Sequence, residues 1–136
     1  MRLVADANVL LSAVIGGRAR GVLEHPTVTE VLSAEIMLAE VQEYAAHLAA
    51  KKRLRVDVVL LAVASLPVTL VGRDVYAKRI PEAKRRIGRR DPDDVDVLAL
   101  ALHEGIPVWS NDNDFADAGV EWYTTAEVLR RLDAAR

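Results

Sequence analysis

The stretch DPDDVDVLALALHEGIPVWSND, residues 91–112, places an apolar helix and a short apolar strand between two groups of acidic residues. Apolar residues at helical spacing predict a helix over residues 92–104, with Asp91 as its N-cap and a proline in the first helical position. Gly105 is expected to end this helix in a left-handed cap, and residues 106–109 are expected to form a strand. The unit therefore has carboxylates at the start of the helix and directly after the strand.

Apolar strands alternate with helices along the rest of the chain. Because the strands are apolar on both faces, the pattern predicts an α/β fold with a parallel sheet that is covered on both sides. With 136 residues, 51% of them hydrophobic, we expect residues 1–136 to form a single domain. Strands are predicted at residues 3–5, 28–32, 68–71, 106–109 and 120–123. Helices are predicted directly after the first strand, after a cap at Ser33, at 56–64, at 74–87 with a break near Pro81, at 92–104 and at 124–132.

Composition excludes several classes of function. The chain has no cysteine, which excludes disulfides, zinc–thiolate sites and a cysteine nucleophile. Its formal net charge is −2, so any nucleic-acid binding must come from a local basic patch. No apolar run approaches the roughly 18 residues of a membrane span, and the first residues lack a signal-peptide pattern. A cytoplasmic location is the expectation.

Acidic residues are expected to meet at one edge of the sheet. In parallel α/β sheets, ligands bind beyond the carboxyl ends of the strands, where the strand order reverses. Asp6 directly follows the first strand, Asp112 follows the fourth, and Asp94 lies in the first turn of a helix that starts at the same edge. Simpler explanations stay open, since Asp6 or Asn8 can cap the first helix, and Asp112 and Asp114 can form turn hydrogen bonds.

The acids of the 92–104 helix are predicted to point in different directions. At about 100° per residue, Asp94 aligns with Leu98 and Ala101 in the centre of the apolar stripe, whereas Asp96 points to the opposite side. Asp94 is therefore the candidate site residue. The acids expected to face water and to complement the helix dipole are Asp91, Asp93 and Asp96.

The helix predicted after Ser33 offers a fourth acid. Its apolar stripe is centred near Met37, Tyr44 and Leu48. Glu40 borders this stripe and is close enough to the start of the helix to reach the edge of the sheet. Glu43 lies farther round the helix, and a glutamate that simply faces water is the alternative for Glu40.

Four segments, LVADANVLLSA, LAEVQEY, RDPDDVDVLALAL and PVWSNDNDF, together resemble the PIN domain of VapC-like toxin ribonucleases. The resemblance spans nearly the whole chain, with the segments in the family's order and spacing. It implies a three-layer α/β/α sandwich with a five-stranded parallel sheet. It also implies cleavage of RNA that depends on Mg²⁺ or Mn²⁺, and a homodimer held by a small antitoxin.

The resemblance also assigns site residues. The catalytic acids carried over from the family would be Asp6, Glu40, Asp94 and Asp112. Our hypothesis for their roles is that Asp6 and Asp112 are the principal metal ligands and that Asp94 binds metal directly or through water. Glu40 would orient or deprotonate the attacking water. Polar neighbours that would line or support the site are Asn8, Ser110 and Asp114. Oxygen-only ligands suit a hard cation such as Mg²⁺ or Mn²⁺. Asp91 and Asp96 are rivals to Asp94, and Glu43 is a rival to Glu40.

A basic segment precedes the acidic helix and is the predicted RNA contact. Residues 78–90 contain seven Lys and Arg residues and one glutamate. The side chains predicted to bind RNA are Arg85, Arg86, Arg89 and Arg90, and the alternative is an ordinary solvated surface. A shorter basic cluster lies at residues 51–55.

Two other functions fit parts of the pattern. A phosphatase of haloacid-dehalogenase type would use Asp6 as a nucleophile, but it would need an acid two residues later, where this chain has Asn8. A non-catalytic interaction module could use the same acids to hold a structural ion. Trapping of a phospho-aspartate would favour the first alternative, and tolerance of Asp112→Asn would favour the second.

Overall fold

The computed structural model describes residues 1–87 and 92–134, which form a five-stranded parallel sheet. The strands are β1 (Arg2–Ala5), β2 (Glu30–Ala34), β3 (Thr69–Val71), β4 (Val108–Trp109) and β5 (Trp122–Tyr123). They lie in the order β3-β2-β1-β4-β5, and every neighbouring pair is parallel. This sheet confirms the α/β prediction.

Helices cover both faces of this sheet. The helices are α1 (Ala7–Val14), α2 (Arg18–Glu24), α3 (Met37–Lys51), α4 (Val56–Ala64), α5 (Arg73–Tyr76), α6 (Ile80–Ile87), α7 (Val95–Glu104) and α8 (Thr125–Ala134). Helix α7 packs on β1 and β2, and α5 and α6 pack against it. Helices α1, α3 and α4 form a second group, and α2 bridges α1 and α8. Right-handed crossovers place the two groups on opposite faces and give the predicted α/β/α sandwich.

Two local predictions are wrong. Ser33 does not cap a helix: it lies inside β2, fully buried, and its hydroxyl donates a hydrogen bond to the carbonyl of Ala5 at 3.0 Å. The predicted break at Pro81 falls earlier, in a 3-10 turn over Ala77–Arg79. Pro81 is the second residue of α6, where a fixed φ and a missing N–H are tolerated.

Helix α7 follows a 3-10 turn at Pro92–Asp94 and ends as predicted. Gly105 has φ 67°, and its N–H donates to the carbonyl of Ala101 at 2.8 Å, which closes the helix in a left-handed cap. Asp91, the predicted N-cap, lies outside the described residues. Every residue from 95 to 101 is buried, because the sheet covers one side of the helix and α5 and α6 cover the other.

Within residues 1–87 and 92–134, no helix is both long enough and apolar enough to cross a membrane.

Candidate active site

The candidate site lies where the strand order reverses. The connection after β1 runs toward β2 on one side, whereas β4 is reached from β3 on the other, so a crevice opens between the ends of β1 and β4. Asp6 directly follows β1, and Asp112 follows β4 by three residues. The cleft has a volume of about 150 Å³ and is lined by Asp6, Ala7, Asn8, Met37, Glu40, Tyr44, Asp94 and Asp112.

Asp6 both caps α1 and forms part of the cleft. Its Oδ1 accepts a hydrogen bond from the backbone N–H of Val9 at 3.0 Å, and its Oδ2 accepts from the hydroxyl of Ser110. Asp6 is only 5% exposed, and this burial raises the pKa of its carboxyl group above the ordinary value. The negative charge of Asp112 raises the pKa further, while the hydrogen bonds from Ser110 and Val9 oppose the rise. The hydrogen bond from Val9 shows that the N-cap of α1 is Asp6 and not Asn8.

Among the described residues, three carboxylates approach one another at the cleft. One oxygen from each of Asp94, Asp112 and Asp114 lies within 4.8 Å of the other two. Asp94 is 9% exposed and lies in the 3-10 turn directly before α7. The sequence predicts Asp6, Asp94 and Asp112 as metal ligands and Asp114 as a neighbour. All three predicted ligands line the cleft, and Asp114 joins Asp94 and Asp112 in the close group without lining the cleft.

The loop after β4 is held by contacts that the sequence does not indicate. Ser110 is fully buried, and its Oγ accepts a hydrogen bond from the N–H of Asp112 at 3.0 Å while donating to Asp6. The indole of Trp122 donates to the carbonyl of Ser110 at 2.9 Å. Asn111 accepts from the first N–H of α8 at 2.8 Å, so this asparagine caps a helix that begins 14 residues later. Both partners are distant in sequence, and no local motif signals them.

Asp96 does not face water, so its predicted orientation is wrong. It is 5% exposed, and its carboxylate accepts two hydrogen bonds from Arg73, at 3.0 and 2.9 Å, and one from the hydroxyl of Tyr76 at 2.6 Å. Burial and the hydrogen bond to Asp96 raise the pKa of the Tyr76 hydroxyl. This network joins α5 to the first turn of α7, close to Asp94.

Helix α3 faces the core differently from the prediction. Its buried stripe consists of Met37, Val41, Ala45 and Ala49, and Tyr44 is half exposed instead of central to the stripe. The buried stripe is therefore rotated relative to the prediction, and alanines occupy two of its four positions. Glu40 is partly buried and lines the cleft, whereas Glu43 is exposed.

Two of the four predicted RNA-binding arginines lie within the described residues. Arg85 and Arg86 both pair with Glu82. Arg86 also donates to the carbonyl of Ala118 at 2.8 Å, which ties α6 to the loop before β5. Arg89 and Arg90 lie outside the described residues.

A comparison with known protein families agrees with this parallel sheet and its carboxylate-lined cleft. The model of the PIN domain matches residues 4–133. The chain therefore belongs to the PIN domain family. No curated protein sequence gives a significant match.

Solved structures with a similar fold include three that cover most of this chain. PAE2754 from Pyrobaculum aerophilum is 13% identical, with a TM-score of 0.74 and coverage of 98% of this chain and 90% of its own. A toxin–antitoxin complex from Klebsiella pneumoniae is 19% identical, with a TM-score of 0.64 and coverage of 90% and 97%. VapC20 from Mycobacterium tuberculosis, described as a sarcin–ricin loop cleaving toxin, is 20% identical, with a TM-score of 0.57 and coverage of 87% and 95%. At these identities the likeness shows the fold.

Proposed function

We propose that the chain is a Mg²⁺- or Mn²⁺-dependent endoribonuclease and the toxin of a toxin–antitoxin pair. The observation that carries this proposal is the approach of three carboxylates, from Asp94, Asp112 and Asp114, at the switch point of the sheet. Membership of the PIN domain family supports it, and so does the similarity of fold to VapC20, a sarcin–ricin loop cleaving toxin.

The donor set fits a hard divalent cation. The three residues of the close group offer only carboxylate oxygens, which are the ligands that Mg²⁺ and Mn²⁺ prefer. Like charges within 4.8 Å of one another repel, so a cation held by Asp94, Asp112 and Asp114 would remove that repulsion. A bound cation would supply Lewis-acid stabilisation of the charge on the phosphodiester.

The other residues of the cleft have distinct roles in this proposal. Ser110 fixes the carboxylate of Asp6 and the backbone of Asp112 through one hydroxyl group, so both acids keep their positions before substrate binds. Glu40 comes from a different element, the first turn of α3, and lines the same cleft. From there it orients the attacking water and accepts its proton.

A small antitoxin protein would inhibit such a site by covering it. The toxin–antitoxin complex from Klebsiella pneumoniae, which has a similar fold, supports a partner of this kind. An inhibitory segment that offers Arg or Lys to the carboxylates of the cleft would compete directly with the cation and with RNA. A homodimer of the toxin chain is part of the same proposal.

Cleavage of RNA with and without metal tests the proposal. Protein purified free of any partner should cut RNA in Mg²⁺ or Mn²⁺ and stop when EDTA is added, and DNA serves as the parallel substrate. Asp112→Asn should abolish cleavage, whereas Asp133→Asn, which changes an exposed acid on α8, should not. Full cleavage in EDTA would refute the metal mechanism. Tight metal binding without cleavage of any RNA would favour a non-catalytic module.

A further inference from the structure

One aromatic side chain is exposed, and it lies at the acidic cleft. The chain has six aromatic residues, and all of them are described. Tyr44 is 50% exposed and lines the cleft beside Glu40. The other five have structural roles: Tyr76, Trp109 and Phe115 are fully buried, the Trp122 indole donates to Ser110, and Tyr123 packs its ring under Arg131 at 4.1 Å.

Helix α3 continues this exposed surface away from the cleft. At about 100° per residue, Glu40, Tyr44, His47 and Lys51 fall on one face within roughly 60° of one another. Glu40 is partly buried at the cleft, and the other three are exposed. The face therefore runs from a carboxylate, across an aromatic ring and an imidazole, to a primary amine. Each step is one helical turn, about 5.4 Å.

The size of the cleft limits which part of a substrate can enter it. A volume of about 150 Å³ accommodates a cation and a phosphate group but is well below the ~300 Å³ or more of pockets that enclose whole ligands. The bases on either side of the scissile phosphate must therefore lie outside the cleft, against its rim. Tyr44 is the aromatic surface at that rim, and every base has a face that can stack on it.

We propose that Tyr44 is the stacking platform for the base next to the scissile phosphate, and that the Tyr44–His47–Lys51 face of α3 carries the adjoining RNA strand. This inference rests on the proposed ribonuclease function and names its substrate-positioning surface. Lys51 contacts a phosphate of the RNA segment that runs along α3 away from the cleft. A base inside a duplex is stacked on both faces by neighbouring bases. The Tyr44 platform therefore binds an unpaired, unstacked nucleotide and not the interior of a duplex.

A fluorescence experiment tests the platform directly. An oligoribonucleotide with 2-aminopurine at successive positions is bound to the Asp112→Asn protein, so that the RNA is not cut. One position of the label should be quenched on binding. Tyr44→Phe should keep the quench, because the ring is retained, whereas Tyr44→Leu should remove it and weaken binding about five- to tenfold. Equal quenching and equal affinity in the Phe and Leu variants would refute the stacking role. Because Tyr44 is exposed, neither variant is expected to disturb folding, and thermal melting checks this.

A matched pair of lysines tests the path of the strand. Lys51→Gln should lower RNA affinity. It should also reduce the slope of log affinity against log salt concentration by about one, because one phosphate contact releases about one counterion. Lys52→Gln is the control, because Lys52 lines a different groove, between α1 and α4. Equal effects of both substitutions, or duplex RNA binding as tightly as single strands, would overturn the proposed path. Metal-dependent cleavage by the unaltered protein, measured in parallel, separates these results from failure of the ribonuclease proposal.

Discussion

Asp94 and Asp96 lie two residues apart, and their separate replacement by asparagine should divide catalysis from stability. Both side chains are buried, but they face different surroundings. Asp94 belongs to the carboxylate group with Asp112 and Asp114, whereas Asp96 accepts hydrogen bonds from Arg73 and Tyr76. We expect Asp94→Asn to abolish RNA cleavage with little loss of stability, and Asp96→Asn to lower stability while leaving most of the cleavage activity.

The expected loss for Asp96→Asn follows from its two partners. Breaking a buried ion pair can cost about 3–5 kcal/mol, mainly because a charge is left buried and unpaired. Here the side chain of Arg73 is 55% exposed and can return to water, so this part of the cost is largely avoided. Asparagine keeps one acceptor for the buried Tyr76 hydroxyl but loses the charge that strengthens this bond, and its amide N–H2 replaces an acceptor of Arg73, so we expect a loss of about 2 kcal/mol. In a chain of this length that corresponds to a fall in melting temperature of roughly 6–10 °C.

Thermal melting with EDTA and with Mn²⁺, combined with an RNA cleavage assay below both melting temperatures, measures the two effects. Asp94→Asn should melt at or above the temperature of the unaltered protein in EDTA, because it removes one of three mutually repelling charges. It should also lose most of the rise produced by Mn²⁺. A normal melting temperature for Asp96→Asn would show that the network with Tyr76 adds no stability, and full cleavage by Asp94→Asn would remove Asp94 from the site.

Three further predictions concern other parts of the molecule. Saturating Mn²⁺ should raise the melting temperature of the unaltered protein, because the acids converge only in the folded state; an unchanged value would argue against a shared cation site. Asp6→Asn should stabilise the metal-free protein increasingly as pH rises from acid to neutral. The folded state holds the Asp6 proton more tightly than the unfolded state, so the stability due to protonated Asp6 is lost as pH rises through the folded-state pKa. Urea unfolding in EDTA at several pH values measures this difference, and a difference independent of pH would contradict it. Arg86→Gln should lower the melting temperature more than Arg85→Gln, because Arg86 also binds the carbonyl of Ala118.

Prediction from sequence was most successful where the controlling interactions are local. Residues 56–64 form α4 with the predicted bounds, and Gly105 adopts the predicted left-handed cap. The alternation of strands and helices, with the rule that ligands bind at the carboxyl edge of a parallel sheet, predicted that Asp6 and Asp112 lie at one cleft. Both signals depend only on the order of elements along the chain. The site roles of these residues remain predictions.

The errors arose where tertiary packing decided the outcome. Helical periodicity assigned one side of α7 to water and therefore placed Asp96 there, but α5 and α6 cover that side. The partners of Asp96 precede it by 20 and 23 residues and lie on another element, so no spacing within α7 could identify them. In α3 the preference for large apolar side chains placed Tyr44 in the core, whereas the packed face consists of Met37, Val41, Ala45 and Ala49.

Asp6, a candidate site acid, and Asp96, which belongs to a structural network, have different partners at equal burial. Each is 5% exposed, so desolvation penalises both carboxylates. The carboxylate of Asp96 accepts two hydrogen bonds from the guanidinium group of Arg73, and this ion pair neutralises its charge. Within the described residues, Asp6 accepts hydrogen bonds from uncharged donors, the Ser110 hydroxyl and backbone amides, and the nearby negative charge of Asp112 raises its pKa. Those donors fix the direction of the carboxylate without neutralising it. Asp96 is thus neutralised by an arginine of the same fold, whereas the donors that contact Asp6 within the described residues carry no charge, which is the arrangement expected if the cleft binds a cation as we propose.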